Sequence, residues 1–146
     1  MARVDWYGVD FTWYAVDTDG HVAQFTAGYA PIPTAVFVDE TLATKADEYF
    51  DTAPETSAAQ LARGYRLGAS ADASAFLRPA RRGLFLFSET GAQGNPTYRL
   101  VGTPSKPVLA ETLAPNIKRA VTVVRFDLHF FRETIIVPSD HVPCST

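Results

Sequence analysis

Two carboxylates and an imidazole stand within five residues in the run Asp17-Thr18-Asp19-Gly20-His21. Side chains of these types can ligate a metal ion. The calcium-loop pattern, however, needs a bidentate Glu six residues after its glycine, and Thr26 stands at that place. Asp and Gly are also the ordinary residues of a tight turn. The run therefore predicts a hairpin turn, and neither a metal nor another cofactor is expected.

A second set of titratable residues lies toward the C-terminal end, where Arg125, Asp127 and His129 alternate and Glu133 comes four residues later. Alternate residues of a strand share one face, so His129 could act as an acid–base group with Asp127 or Glu133. The solvated face of a sheet has the same pattern. A small enzyme that uses this group is therefore an alternative hypothesis, and no catalytic residue is assigned.

Other catalytic signatures are missing from the sequence. Its three histidines, His21, His129 and His141, include no pair at the spacing that places two imidazoles on one helix face. Cys144 is the only cysteine, so no intrachain disulfide can form, and its position near the end favours a frayed tail over a nucleophile. No Gly-x-Ser-x-Gly elbow, phosphate loop or dinucleotide-binding motif occurs.

The feature that points most clearly to one kind of function is an acidic helix, which begins near Asp39 and ends before Pro54. Apolar residues recur there with a helical period, and Asp39 can cap the first turn. An acidic helix face attracts a positively charged protein, and an exposed aromatic such as Tyr29 could strengthen the contact. The candidate partner-binding residues are Asp39, Glu40, Asp47, Glu48, Asp51 and Tyr29.

Charge and composition exclude several classes of function. The net charge is −3, whereas a nucleic-acid-binding domain normally carries a basic excess. Residues 1–60 hold ten acids and two bases, while residues 61–146 hold six acids and eleven bases. No apolar run reaches the ~18 residues of a membrane span, and the acids in residues 1–10 do not suit a signal peptide. A cytoplasmic protein without nucleic-acid or membrane partners is expected.

Periodicity predicts a single α+β domain over residues 1–146. It consists of an antiparallel sheet of about five to six strands with two helices packed on one face. The sheet begins with a hairpin whose strands span 11–16 and 21–26 and whose turn contains Gly20. The predicted second helix starts at the capping-box pair Ser57 and Gln60 and stops at Gly68.

The C-terminal half is expected to return to strand. A second hairpin joins 84–87 to 98–101 through a turn over 89–95, and 116–120 could form a helical turn. Alternating apolar residues predict a long strand over 122–131. An edge strand over 134–137 could support self-association as a homodimer.

Several of these segments resemble small uncharacterised bacterial proteins that look like immunity proteins of polymorphic toxins. The resemblance rests on the run from Trp13 to Phe25, on Gly28 and Pro33, on Gly83-Leu84-Phe85, and on Tyr98, Pro104 and Pro107. It implies a shared fold and transfers no catalytic residues. It also implies a function: binding and neutralising a toxin, a basic protein that the acidic helix would contact.

Overall fold

The predicted first hairpin is confirmed by the computed structural model, which describes residues 10–68, 71–91 and 96–145. Strands β1 (Phe11–Val16) and β2 (Val22–Ala27) pair antiparallel along their whole length. Gly20 has a φ of 83°, a left-handed conformation that only glycine adopts at low cost. The turn thus places the side chains of Asp17, Asp19 and His21 at one end of the sheet.

The remaining helices and strands alternate irregularly along the chain. They are β3 (Ile32–Pro33), α1 (Thr41–Thr52), β4 (Ala59–Leu61), α2 (Ala73–Phe76), α3 (Arg78–Arg81), β5 (Phe85–Thr90), β6 (Thr97–Pro104), α4 (Pro115–Val121), β7 (Ile135–Ile136) and β8 (Cys144–Ser145). Within the described residues, the main sheet has the strand order β1-β2-β5-β6-β4, with β7 also paired to β6. A short second sheet joins β3 to β8. The α+β class is therefore confirmed.

The main sheet is mixed, so the prediction of a purely antiparallel sheet is wrong. Strands β2 and β5 run parallel, with Ala23 opposite Phe85 and Thr26 opposite Ser88. The chain makes a long crossover between these strands, through α1, β4, α2 and α3, and this connection brings it back to the end of the sheet at which β2 begins. The second predicted hairpin is confirmed as β5 and β6, although residues 92–95 of its turn lie outside the described residues.

Each face of the main sheet carries its own hydrophobic core. The helical face includes Tyr14 of β1 and packs against all four helices, with α2 contributing the partly buried Phe76. The opposite face includes Trp13 and Phe25, and it is covered by chain around Ile32 and by the segment 124–130. Neighbouring residues of a strand point to opposite faces, which is how Trp13 and Tyr14 enter different cores. Helices pack on one face as predicted, but four of them contribute rather than two.

The segment after α1 is a strand, so the predicted second helix is wrong. Residues 59–61 form β4 and pair antiparallel with β6. The Ser57 hydroxyl accepts a hydrogen bond from the Lys106 N–H at 2.9 Å instead of capping a helix. Ser105 reinforces the link, because its hydroxyl accepts the Ala58 N–H at 3.1 Å. These contacts across the sheet hold the segment extended.

The long strand predicted over 122–131 is also wrong. Residues 115–121 form α4, and the segment after this helix makes an isolated parallel bridge between Arg125 and Val16 in place of a ladder. The segment then ends in a 3₁₀ turn over Phe130–Arg132. The alternation itself is real, because Phe126 and Phe130 are buried while Arg125 is exposed. The edge strand predicted over 134–137 is confirmed in part as β7.

No helix within the described residues is long and apolar enough to cross a lipid bilayer. The sequence predicts no signal peptide at residues 1–10. Most of these residues lie outside the part of the chain that the structure describes.

Candidate functional site

The predicted acidic helix is confirmed as α1, and three acids lie together in its second half. Asp47 and Asp51 are one turn apart, and Glu48 lies beside them. We call these three residues the acidic face. Among the described residues, no lysine or arginine forms an ion pair with any of the three. The opposite side of α1 is fixed in the core by Leu42, Ala46 and Phe50.

Asp47 stands at the border between this face and the core. Its carboxylate accepts a 2.7 Å hydrogen bond from the hydroxyl of Tyr14, which is buried beneath α1. Burial raises the pKa of Asp47, the Tyr14 hydrogen bond opposes that shift, and the negative charges of Asp51 and Glu48 add to it. Burial together with the Asp47 charge raises the pKa of Tyr14 well above its usual value. The hydroxyl therefore stays protonated and holds the carboxylate in place.

The two other acids predicted on this helix lie before its first turn. Asp39 caps the start as predicted, because its carboxylate accepts the Thr41 N–H at 3.1 Å and the Thr41 hydroxyl at 2.6 Å. The Thr41 hydrogen bonds lower the pKa of Asp39, and the charges of Arg119 and Lys45 lower it further. Glu40 is half-buried at the N-terminal boundary. Glu40 makes no side-chain capping hydrogen bond, so of these two acids Asp39 supports the start of the helix.

The structure does not bring Tyr29 to the acidic face. Tyr29 lies in the loop after β2, with its side chain 39% exposed. Its N–H donates to the Glu89 carboxylate at 2.7 Å. The next residue, Ala30, belongs to the core on the opposite face of the sheet from α1. Tyr29 therefore does not form part of the candidate binding surface.

The candidate acid–base group is arranged differently from the sequence-based hypothesis. His129 Nδ1 lies 2.6 Å from Asp19 Oδ2, in the first hairpin turn. Asp127 instead accepts a 3.3 Å hydrogen bond from the Thr18 hydroxyl. Neither Asp127 nor Glu133 contacts the His129 ring within the described residues.

No family model, curated protein or solved structure matches this chain. Its functional residues must therefore be inferred from its own geometry, in which the acidic face has no ion-pair partner among the described residues.

Two structural carboxylates have roles that the sequence pattern does not reveal. Asp17 has the pattern of a simple turn residue, yet its side chain is fully buried and also binds the Phe130 N–H at 3.0 Å. Glu89 has the pattern of a loop residue, yet one of its oxygens accepts three consecutive N–H groups, those of residues 28–30. The sequence shows only that each acid stands near the end of a strand. The N–H groups of Phe130 and of residues 28–30, which these acids bind, are far away in sequence.

Replacing Asp47 with asparagine is expected to stabilise the fold slightly at pH 7. Because its folded-state pKa is raised, Asp47 favours folding below its unfolded-state pKa, and this contribution is lost as the pH rises through the folded-state value. Asparagine removes the charge and can still accept the Tyr14 hydroxyl. Solvent screening limits the gain in unfolding free energy to roughly 0.5 kcal/mol.

Urea unfolding of the two proteins between pH 4 and pH 7 measures this difference. The gain should be largest at pH 7 and shrink toward pH 4, where the wild-type carboxyl becomes protonated. Asp140→Asn, at an exposed acid in the 3₁₀ turn over Pro138–Asp140, is the matched control and should change little. An Asp47→Asn protein less stable than the wild type at pH 7 would contradict the expectation.

Proposed function

We propose that this chain is a protein-binding domain that binds a basic protein through the acidic face of α1. The observation that carries the proposal is the combination of three unneutralised acids with the raised pKa of Asp47. Burial, together with the neighbouring charges of Asp51 and Glu48, raises the pKa of Asp47, so keeping this carboxylate charged lowers the stability of the fold. Groups kept at a cost in stability are common at functional sites, and Asp47 is such a group even though it also accepts the Tyr14 hydroxyl.

The setting of the acidic face also suits binding. Phe50 stacks against Tyr14 with ring centroids 5.7 Å apart, so the buried side of α1 is rigidly packed. A surface held on a packed helix loses little conformational entropy when a partner binds. Its negative charge would accelerate association with a basic partner, and salt would reduce that effect.

A more specific form of the proposal is that the partner is a bacterial toxin that this chain neutralises in the cytoplasm. The resemblance of its strand, turn and proline residues to toxin immunity proteins supports the toxin partner. The single cysteine is consistent with a reducing compartment. An immunity protein needs no chemistry of its own, since it acts by covering the surface that the toxin uses.

Charge reversal of Glu48 and Asp51 to lysine tests the acidic face without disturbing the Asp47–Tyr14 hydrogen bond. Both side chains are exposed, so the variant should fold normally. The control reverses two exposed acids outside α1, Glu111 and Asp140. Wild type and both variants are immobilised at equal density and incubated with lysate of the source cells, and captured proteins are identified and quantified.

Capture of a basic protein by the wild type and the control, with at least a tenfold loss in the α1 variant, is the expected result. Recovery of no basic protein, or equal recovery by all three, would contradict the proposal. The toxin form adds a second expectation. Expression of the captured protein alone should arrest growth, and co-expression of the wild type, but not of the α1 variant, should restore it.

A further inference from the structure

The first hairpin turn contains a fully buried carboxylate, that of Asp17. Asp17 Oδ1 accepts the N–H groups of Asp19 at 3.0 Å and His21 at 2.9 Å, and Oδ2 accepts the Phe130 N–H at 3.0 Å. A buried negative charge normally requires a cation as well as hydrogen bonds. Within the described part of the chain, no lysine or arginine forms an ion pair with Asp17 or Asp19.

The side chains around Asp17 carry the ligand types of a transition-metal site. One ligand atom each from Asp17, Asp19 and His21 lies within 4.8 Å of the others. His21 Nδ1 is 3.3 Å from Asp17 Oδ2, whereas charge-assisted hydrogen bonds measure about 2.7–2.9 Å. Bond lengths of about 2.0–2.2 Å place two ligands of a tetrahedral zinc ion roughly 3.3–3.5 Å apart. The observed separation therefore fits two ligands that face one ion.

A second imidazole supports this group from a distant part of the chain. His129 Nδ1 contacts Asp19 Oδ2 at 2.6 Å, although the two residues are 110 positions apart in sequence. Metal ligands are commonly oriented by such outer hydrogen bonds, whose removal costs about 10–100-fold in affinity. The sequence alone contains two carboxylates and one imidazole in the turn, and the fold adds the residue that orients Asp19.

We propose that Asp17, Asp19 and His21 bind a divalent transition-metal ion of the zinc type, with His129 as a positioning residue for Asp19. Imidazole nitrogen favours zinc and its neighbours over magnesium or calcium, which prefer oxygen ligands alone. A cleft of about 260 Å³ opens beside Asp17 and Asp19, and its lining also includes Lys118 and Arg125. A bound ion would bridge the buried Asp17 carboxylate and the His21 ring, whose Oδ2 and Nδ1 atoms lie 3.3 Å apart.

The ion would also tie together segments that are distant in sequence. Asp17 binds the Phe130 N–H, and Asp19 binds His129, so the turn holds the start of the 3₁₀ turn over Phe130–Arg132. A ligand that binds only the folded state raises the unfolding temperature. The metal site shares no residue with the acidic face of α1, so either can fail its test without the other.

Isothermal titration of the tag-free protein with Zn²⁺ tests the site. All variants carry Cys144→Ser, which removes the only thiol as a competing ligand. His21→Ala removes a ligand and His129→Ala removes the positioning contact. His141→Ala removes the remaining histidine, which is exposed and lies outside the group, and serves as the matched control. Thermal unfolding without metal shows that each variant is folded.

The expected result is one Zn²⁺ per chain with micromolar or tighter affinity, and a higher unfolding temperature when Zn²⁺ is added. His21→Ala and His129→Ala should each weaken binding at least about tenfold. His141→Ala should bind like the parent protein, and Mg²⁺ should produce no heat. The proposal is overturned if the parent protein binds no Zn²⁺ at micromolar concentrations. Equal binding by the parent and His21→Ala would also overturn it.

Discussion

Truncation of Trp13 to alanine is expected to lower the free energy of unfolding by about 3–5 kcal/mol, the range for large aromatic residues in a packed core. The side chain is fully buried and stacks on Phe25 with ring centroids 4.1 Å apart. Its indole N–H also donates to the Tyr98 hydroxyl at 3.2 Å, which would lose this partner. Native domains have only about 5–15 kcal/mol of stability, so much of it would be lost.

Urea unfolding monitored by circular dichroism measures the loss, and two further variants isolate its cause. Trp13→Phe keeps an aromatic ring against Phe25 and removes only the indole N–H and part of the volume, so its loss should be clearly smaller. Val38→Ala truncates a side chain that is 83% exposed and should change stability by less than about 0.5 kcal/mol. A Trp13→Ala loss below about 1 kcal/mol would show that this core is not the one described.

The elements that could be predicted from sequence are those fixed by neighbouring residues. The first hairpin is indicated by its aromatic and β-branched strands and by Gly20, which supplies the left-handed turn conformation. Helix α1 is indicated by the spacing of its buried residues, and it ends at Thr52, just before Pro54. In both cases, all the residues that indicate the element lie in one continuous stretch of the sequence.

The mispredicted elements are those decided by residues far away. The capping-box pattern at Ser57 is overridden because its hydroxyl meets the Lys106 N–H, 49 positions later. The expected strand over 122–131 ends early in part because Asp17 binds the Phe130 N–H, where a 3₁₀ turn begins. The parallel pairing of β2 with β5 depends on a long crossover, and no short sequence pattern predicts how that crossover runs.

In the candidate sites, too, the sequence predicts what neighbouring residues decide and misses what distant residues decide. Periodicity alone places Asp47, Glu48 and Asp51 on one helix, but it puts Asp47 opposite the core, whereas Asp47 meets the buried Tyr14. For the hairpin turn, the sequence contains the Asp17–His21 pair and cannot contain the Asp19–His129 contact. A site assembled from two segments becomes visible only when the fold brings those segments together.

The Glu89 carboxylate holds the loop after β2. Strands β2 and β5 are parallel and in register at Thr26 and Ser88, so the residue after Ser88 meets the chain as it leaves β2. There Glu89 Oε1 accepts the N–H groups of Gly28 at 2.8 Å, Tyr29 at 2.7 Å and Ala30 at 2.5 Å. Hydrogen bonds to a charged acceptor contribute more than neutral ones.

Glu89→Ala is therefore expected to lower the free energy of unfolding by about 3 kcal/mol, roughly 1 kcal/mol for each N–H that loses its acceptor. Glu89→Gln keeps one oxygen without the charge and should lose about 1 kcal/mol. Urea unfolding measures both losses, and amide hydrogen exchange should show faster exchange over 28–30 in Glu89→Ala.

An ion-paired glutamate outside the sheet provides the matched control for Glu89. Glu55 contacts Arg81 at 2.7 Å with its side chain 41% exposed, and exposed pairs contribute at most about 1 kcal/mol. Glu55→Ala should therefore cost much less than Glu89→Ala. Equal losses would mean that the three N–H groups are satisfied by solvent in the variant. A larger loss at Glu89, with accelerated exchange confined to 28–30, would show that one carboxylate holds the whole loop against the sheet.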